Sequence, residues 1–359
     1  MERRRFLSCS CVVGFGILIA ILVAKISISQ GEELDMGIRI PPNSRTPLIS
    51  KLESMKKLEL KKGDTHALLP DIKLQLYRLG YIEGNAGADD GLFDERLEAG
   101  LRLYQSSFNL PVTGFLDGPT IHSLSLPRCG REDVRGGAAL MLLPRKQWMA
   151  GQWNLIAGQK KWTSSSNLTY AFSSTIGSVQ SPILSEQDIR SAMAAAFYTW
   201  AAVVPLSFKE VDSFEDAMIK IEFLEGEHGD GWAFDGVLGI LSHAFAPEDG
   251  RFHLDRAEIW TVSLQRTSSS DAVDLQTVAL HEIGHLLGLD HSNVPHSIMF
   301  PSLPPRVVRR FLSEDDTMGA AALYGNPPPG PPLFSSQPQS CSHCSAFILI
   351  LVFLSILLS

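Results

Sequence analysis

Cysteine is nearly absent from the part of this chain that would fold. Of five cysteines, Cys9 and Cys11 lie in an N-terminal apolar stretch and Cys341 and Cys344 beside a C-terminal one. That leaves Cys129 alone between them, which excludes a disulfide framework and makes core packing and metals the sources of stability. One unpaired thiol in such a chain calls for its own explanation. Positive charge is scarce too: 31 Lys and Arg against 39 Asp and Glu give a formal net charge of −8. A nucleic-acid partner, which needs a basic footprint, is therefore not expected. Charged residues reach only 19% while apolar ones reach 45%, so the composition is that of a globular chain and not a disordered one. No internal repeat is visible, which argues against a repeat array.

Both ends carry addresses. Met1–Arg5 is basic and precedes an apolar run from about Phe6 to Ala24, the layout of a secretory signal that is also long enough to stay as a signal-anchor. Ala346–Ser359 is mostly apolar and uncharged, short for a spanning helix, and follows the small polar residues Ser335, Ser336, Ser340, Ser342 and Ser345. That layout resembles a GPI-attachment signal.

Between the ends, periodicity marks the elements. Asp71–Leu79 carries apolar residues at helical spacing and stops at Gly80; a second helix covers Asp94–Phe108, and a short third follows Asp117-Gly118-Pro119. Residues 134–160 read as an exposed connector. Asn167–Phe172 reads as a strand, and Asn167-Leu168-Thr169 is a glycosylation acceptor. Ser185-Glu186-Gln187-Asp188 and Ser313-Glu314-Asp315-Asp316 open helices, while Leu206–Val211 and Met218–Phe223 alternate as half-buried strands. The proline-rich run after Gly325 reads as an extended stalk.

One run carries the chemistry: His281-Glu282-Ile283-Gly284-His285-Leu286-Leu287-Gly288-Leu289-Asp290-His291. On a helix, His281 and His285 share a face and suit Zn²⁺, which takes imidazole nitrogen at about 2.0–2.1 Å. Gly288 breaks the helix so that His291 can return as a third ligand. Three protein ligands plus water is the pattern of a catalytic zinc, with Glu282 placed to take a proton from that water. Upstream, His228, Asp230, His243 and His253 make a closed set of three nitrogens and one oxygen, the pattern of a second, structural zinc. Asp235-Gly236, Asp255 and Glu258 are carboxylates around a glycine-containing loop, which is calcium chemistry.

His281 to His291 with Ser292 and, eight residues after His291, Met299 resembles the metzincins, whose methionine turn underlies the zinc. Within them, Glu227–Gly231, Phe234-Asp235-Gly236, His243–Pro247 and Pro127-Arg128-Cys129-Gly130 are similar to motifs of the matrixins, or matrix metalloproteinases, over roughly residues 69–325. Lacking a haemopexin-like domain and having a stalk instead, the chain is most similar to plant matrixins. The resemblance implies an α+β fold: a catalytic domain with a twisted, mostly parallel five-stranded sheet and three helices, preceded by a small three-helix prodomain. It implies catalytic zinc on His281, His285 and His291, with Glu282 as the base. It implies structural zinc on His228, Asp230, His243 and His253. Calcium would take the side chains of Asp235, Asp255 and Glu258 and the carbonyls of Gly236, Leu238 and Ile240. Leu238 stands where the family usually has glycine. Phe300-Pro301 stands where it often has Tyr-Pro lining a substrate pocket. Cys129 would fill the fourth zinc position in a latent zymogen. Arg128 and Asp133 of that switch are present, whereas Arg131 and Glu132 replace the family's Val-Pro, a change that bears on latency.

The expected organisation is therefore a signal peptide or signal-anchor at 1–30 and a propeptide with helical module and cysteine switch at 31–150. A zinc protease domain follows at 151–325, then a Pro/Ser-rich stalk at 326–345 and a GPI-type signal at 346–359. The expected function is a secreted, zinc- and calcium-dependent endopeptidase, cleaving extracellular protein or peptide substrates after an activating protease removes the switch between Cys129 and about Trp153. A lipid anchor would hold it on the outer face of the plasma membrane. The alternative is an anchored, catalytically silent binding or scaffold protein that keeps the metalloprotease fold.

Overall fold

The computed structural model describes residues 51–52, 57–83, 91–135, 138–142 and 153–325, apart from 157, 164 and 180–182. The expected N-terminal signal, the expected stalk and the C-terminal apolar stretch lie outside these residues, as do 143–152 of the segment expected to be cut. No described helix is long and apolar enough to cross a membrane.

Three helices come first: α1 (Leu69–Arg78), α2 (Glu95–Ser107) and α3 (Gly118–Leu124). Side-chain caps set the starts of α2 and α3. The Asp94 carboxylate accepts the Leu97 N–H at 2.8 Å and that of Asp117 accepts the Thr120 N–H at 3.0 Å, satisfying donors that a first helical turn leaves open. Their apolar faces meet through Leu69, Ile72, Leu76, Leu97, Leu101, Tyr104, Ile121 and Leu124, each at most 2% exposed. Gly80 follows α1 at φ +86°, where a Cβ would lie 2.1 Å from the Val134 carbonyl oxygen.

The chain then forms three two-residue strands, β1 (Arg128–Cys129), β2 (Val134–Arg135) and β3 (Ala138–Ala139), followed by β4 (Asn154–Leu155) and β5 (Asn167–Phe172). Helix α4 (Glu186–Ala201) begins at a reciprocal Ser185–Asp188 capping box. After it come β6 (Ser207–Glu210), β7 (Ile219–Leu224), β8 (Ile240–Ala244), β9 (Arg251–Asp255), β10 (Trp260–Thr261) and β11 (Val273–Asp274). Helix α5 (Leu275–Leu287), β12 (Leu289–Asp290) and α6 (Glu314–Tyr324) close the fold.

The main sheet runs β1-β8-β9-β7-β5-β6, parallel except for the β8–β9 pair. Five of its strands and the helices α4, α5 and α6 form the α+β body; the sixth strand, β1, is lent by the segment around Cys129. Helices α4 and α5 pack together, with the Trp200 Nε1–H donating to the Leu280 carbonyl at 2.8 Å. The stretch 134–160 is not merely an exposed connector. Val134, Ala139, Met141 and Ile156 are buried, and β4 pairs antiparallel with β12. Such short apolar touches show no period, so only tertiary contact reveals them.

Candidate metal centres

Helix α5 is held at both ends. The Asp274 carboxylate caps its start by accepting from the Thr277 N–H at 2.9 Å. Gly288 ends it in the left-handed region at φ +104°, where a Cβ would lie 2.0 Å from the Lys160 carbonyl oxygen. That turn returns the chain through β12 and brings His291 back to His281 and His285.

The three imidazoles are oriented by acceptors behind them. A carbonyl oxygen can only accept, so Nδ1 of His281 donates to Ile298 at 2.7 Å and Nδ1 of His285 donates to Leu289 at 2.9 Å. His291 Nδ1 donates to Asp133 Oδ1 at 2.7 Å. Each Nε2 therefore presents a lone pair to the others. The Nε2 atoms of His281 and His285 are 3.1 Å apart, Cys129 Sγ is 3.5 Å from His285 Nε2, and His291 Nε2 is buried without a hydrogen-bond partner. Four such ligand atoms lie within 4.8 Å of one another. A tetrahedral Zn²⁺ with bonds of about 2.0–2.1 Å to nitrogen and 2.3 Å to sulfur implies edges of about 3.3–3.6 Å. The donor set fits that ion. Burial keeps the imidazoles neutral, His281 down at about 4 and the other two well below the ordinary range.

Glu282 is fully buried beside this set, and burial pushes its carboxyl up to about 7. Its Oε1 accepts from the Ser242 hydroxyl at 2.6 Å, while Oε2 is buried with no partner. Ser242 was not singled out from sequence; no local spacing links a strand residue to a helix 40 positions later.

Met299 lies 2% exposed under the histidines. Its turn is clamped by Asp316, which accepts the N–H of Ile298 at 2.9 Å and of Met299 at 3.1 Å and, at the start of α6, that of Ser313 at 2.7 Å. A Cβ on Gly284 would sit 2.2 Å from Met299 Sδ and 3.2 Å from the Trp200 ring. Gly284→Ala is thus expected to cost about 1–3 kcal/mol through overpacking, measured as a lower Tm in calorimetry; an unchanged Tm would show that the turn gives way freely.

The segment around Cys129 lies between two backbone walls. Leu303 N–H donates to the Pro127 carbonyl, Arg128 N–H to Gly239, Cys129 N–H to Pro301 and Gly130 N–H to Ser242, at 2.7–2.9 Å. Phe300 meets Phe108 of the helical module edge-on, with ring centroids 5.7 Å apart. The Arg128 guanidinium makes two bonds of 2.8 Å to the buried Asp133 carboxylate. Arg131, also buried, pairs with Asp290 at 3.2 Å. Glu132 pairs with Arg135 at the half-exposed surface.

A second group gathers His228, Asp230, His243 and His253, ligand atoms again within 4.8 Å. Register explains part of it, since His243 and His253 face each other across β8–β9. Asp230 Oδ2 lies 2.9, 2.8 and 2.9 Å from nitrogens of His228, His243 and His253, and two nitrogen pairs stand 3.4 and 3.2 Å apart. These spacings also suit a tetrahedral cation. Burial holds His243 below its ordinary range and His253 down at about 4.

Asp235, Asp255 and Glu258 do not belong to either group. Burial raises all three carboxyls, Asp255 to about 6 and Glu258 well above its usual range. Both Glu258 oxygens are buried without a hydrogen-bond partner. Between them Gly236, Leu238 and Gly239 have φ of +90°, +60° and +114°, and the Ile240 N–H donates to Asp235 at 2.8 Å. Leu238 takes the left-handed conformation that glycine adopts at least cost. Asn167 is exposed at the start of β5.

A buried carboxylate and two neutral imidazoles on a helix, joined by a third that the Gly288 break returns to them, define a metal-dependent hydrolase. Residues 161–325 match the matrixin family and residues 65–124 match a peptidoglycan binding domain family. Metalloendoproteinase 1-MMP of Arabidopsis thaliana is 43% identical over 72% of this chain and 69% of its own length. Metalloendoproteinase 1 of Glycine max is 40% identical over 73% and 84%. Matrix metalloproteinase-20 of Homo sapiens is 36% identical over 69% of this chain but only 48% of its own. The chain belongs to the matrixin family of zinc metalloendopeptidases.

Proposed function

We propose that this protein is a secreted endopeptidase made as a zymogen, carrying a catalytic zinc on His281, His285 and His291 and a structural zinc on the His228 group. The observation that carries the reading is the convergence of Cys129 Sγ with those three imidazoles next to a buried carboxylate. When bound, Zn²⁺ supplies Lewis acidity, polarising a peptide carbonyl and acidifying water. Glu282 takes the proton of the attacking water on Oε2, since Oε1 is held by Ser242, and delivers it to the departing amine. Phe300 and Pro301 wall the cleft for the substrate. Cys129 keeps the cleft filled until an activating protease cuts downstream of it.

Asp235, Asp255 and Glu258, with the carbonyls of Gly236, Leu238 and Ile240, would hold Ca²⁺, relieving the unpartnered Glu258 carboxylate. The basic-then-apolar N-terminus and the small-residue-then-apolar C-terminus support export, lipid anchoring and an extracellular location. Exposed Asn167 is the acceptor for glycan. Glu282 argues against a silent scaffold, which has no chemical use for a buried, half-partnered carboxylate.

The test is cleavage of a fluorogenic peptide by the processed protein. A strong chelator should abolish turnover and added Zn²⁺ restore it. Adding Ca²⁺ at about 100 times its Kd should stabilise the fold by about 2.7 kcal/mol, read as a rise in Tm. A processed, zinc-loaded protein that cleaves nothing would leave the scaffold reading in place. Mass spectrometry of the mature protein reads both termini and any lipid.

A further inference from the structure

Arg131 occupies a site that its own removal would open. Its side chain is 3% exposed, and Asp290 beneath it is 1% exposed. Nε donates to Asp290 Oδ1 at 3.2 Å and Nη1 donates to the Ala244 carbonyl at 3.1 Å. Asp290 Oδ1 also accepts the His291 N–H at 3.2 Å, which fixes the carboxylate, while Oδ2 is buried with no partner. Ala244 ends β8, whose Ser242 carbonyl, like that of Gly239 just before the strand, accepts an N–H group of the Cys129 segment. A segment that pairs with β8 over Arg128–Cys129 and bends at Arg131 therefore places its guanidinium in a pocket made of one carboxylate and one carbonyl.

We propose that Asp290 and the Ala244 carbonyl form a substrate subsite for a basic side chain, arginine above all, at one position flanking the scissile bond. This rests on the reading of the protein as an endopeptidase. In the zymogen Arg131 fills the subsite; after processing, an incoming peptide does. A planar guanidinium reaches both acceptors with donors at fixed spacing, whereas a lysine ammonium is a point charge that satisfies one of them at a time. An acidic side chain there meets Asp290 and is rejected.

Two measurements on the processed, zinc-loaded protein decide it. The first scans fluorogenic peptides with Arg, citrulline, Leu or Glu at each position from four before to four after the scissile bond. Citrulline keeps the shape and loses the charge. At one position Arg should exceed citrulline in kcat/KM by on the order of tenfold to a hundredfold, the low end of what losing one partner of a buried charge pair costs. In Asp290→Asn that ratio should fall towards one. The second measures binding of a synthetic peptide spanning residues 127–133, with Arg or citrulline at position 131; citrulline should raise Kd similarly. Equal turnover of Arg and citrulline at every position overturns the subsite, as does an Arg preference that survives in Asp290→Asn. If Asp290→Asn fails to fold, the citrulline comparison on the unaltered protein still decides. If no peptide is turned over, the endopeptidase reading falls, and the 127–133 peptide pair alone judges the pocket.

Discussion

Glu282→Gln is expected to reduce kcat/KM of the processed protein by about 10²–10⁴-fold, the range that a lost general base commands. The amide keeps the shape, and its oxygen still accepts from Ser242, so that hydroxyl is not orphaned. What disappears is the Oε2 lone pair that can take up a proton. Because the substitution touches no imidazole, zinc content measured by atomic absorption should match the unaltered protein. Turnover retained within a few-fold would sink the assignment of Glu282 as base. Loss of zinc together with activity would instead place the residue among the supports of the site.

Cys129→Ser in the full-length chain should raise peptidase activity above that of the intact zymogen without any cleavage. The gain is on the order of tenfold to a hundredfold, since each 1.4 kcal/mol taken from the latch is a factor of ten. It should stop short of the processed form. The Arg128–Asp133 pair, the Arg131–Asp290 pair and four backbone hydrogen bonds still hold the segment between its walls. Activity is read with a fluorogenic peptide, and gel electrophoresis confirms that the chain is uncut. A fully silent Cys129→Ser zymogen would mean that occupancy of the cleft by backbone, rather than the thiol, enforces latency.

Much of this was legible in the chain because the signals are local. Asp94, Asp117, Ser185 and Ser313 announced helix starts within a few residues, and the histidines four apart predicted their own face. What sequence hid is tertiary. His243 and His253 meet through strand register, which spacing along the chain does not encode. Ser242 on Glu282 and Asp316 beneath Met299 join elements 40 and 17 positions apart. The replacement of the switch's Val-Pro by Arg131-Glu132 raised the question of how tightly latency is kept. The structure puts Arg131 into a buried ion pair and leaves Glu132 at the surface, so one of the two substitutions adds a tie.

The order of these parts along the chain also fixes their order in time. Cys129 precedes His285 by 156 residues, which at roughly 5–20 residues per second is about 8–30 s of synthesis. Asp316, whose carboxylate shapes the turn under the histidines, arrives later still. A ribosome making this protein therefore finishes the restraint, and the helices that carry it, well before it finishes the blade. If the protein is made as the proposed zymogen, every nascent chain that completes the site already has Cys129 tethered to it.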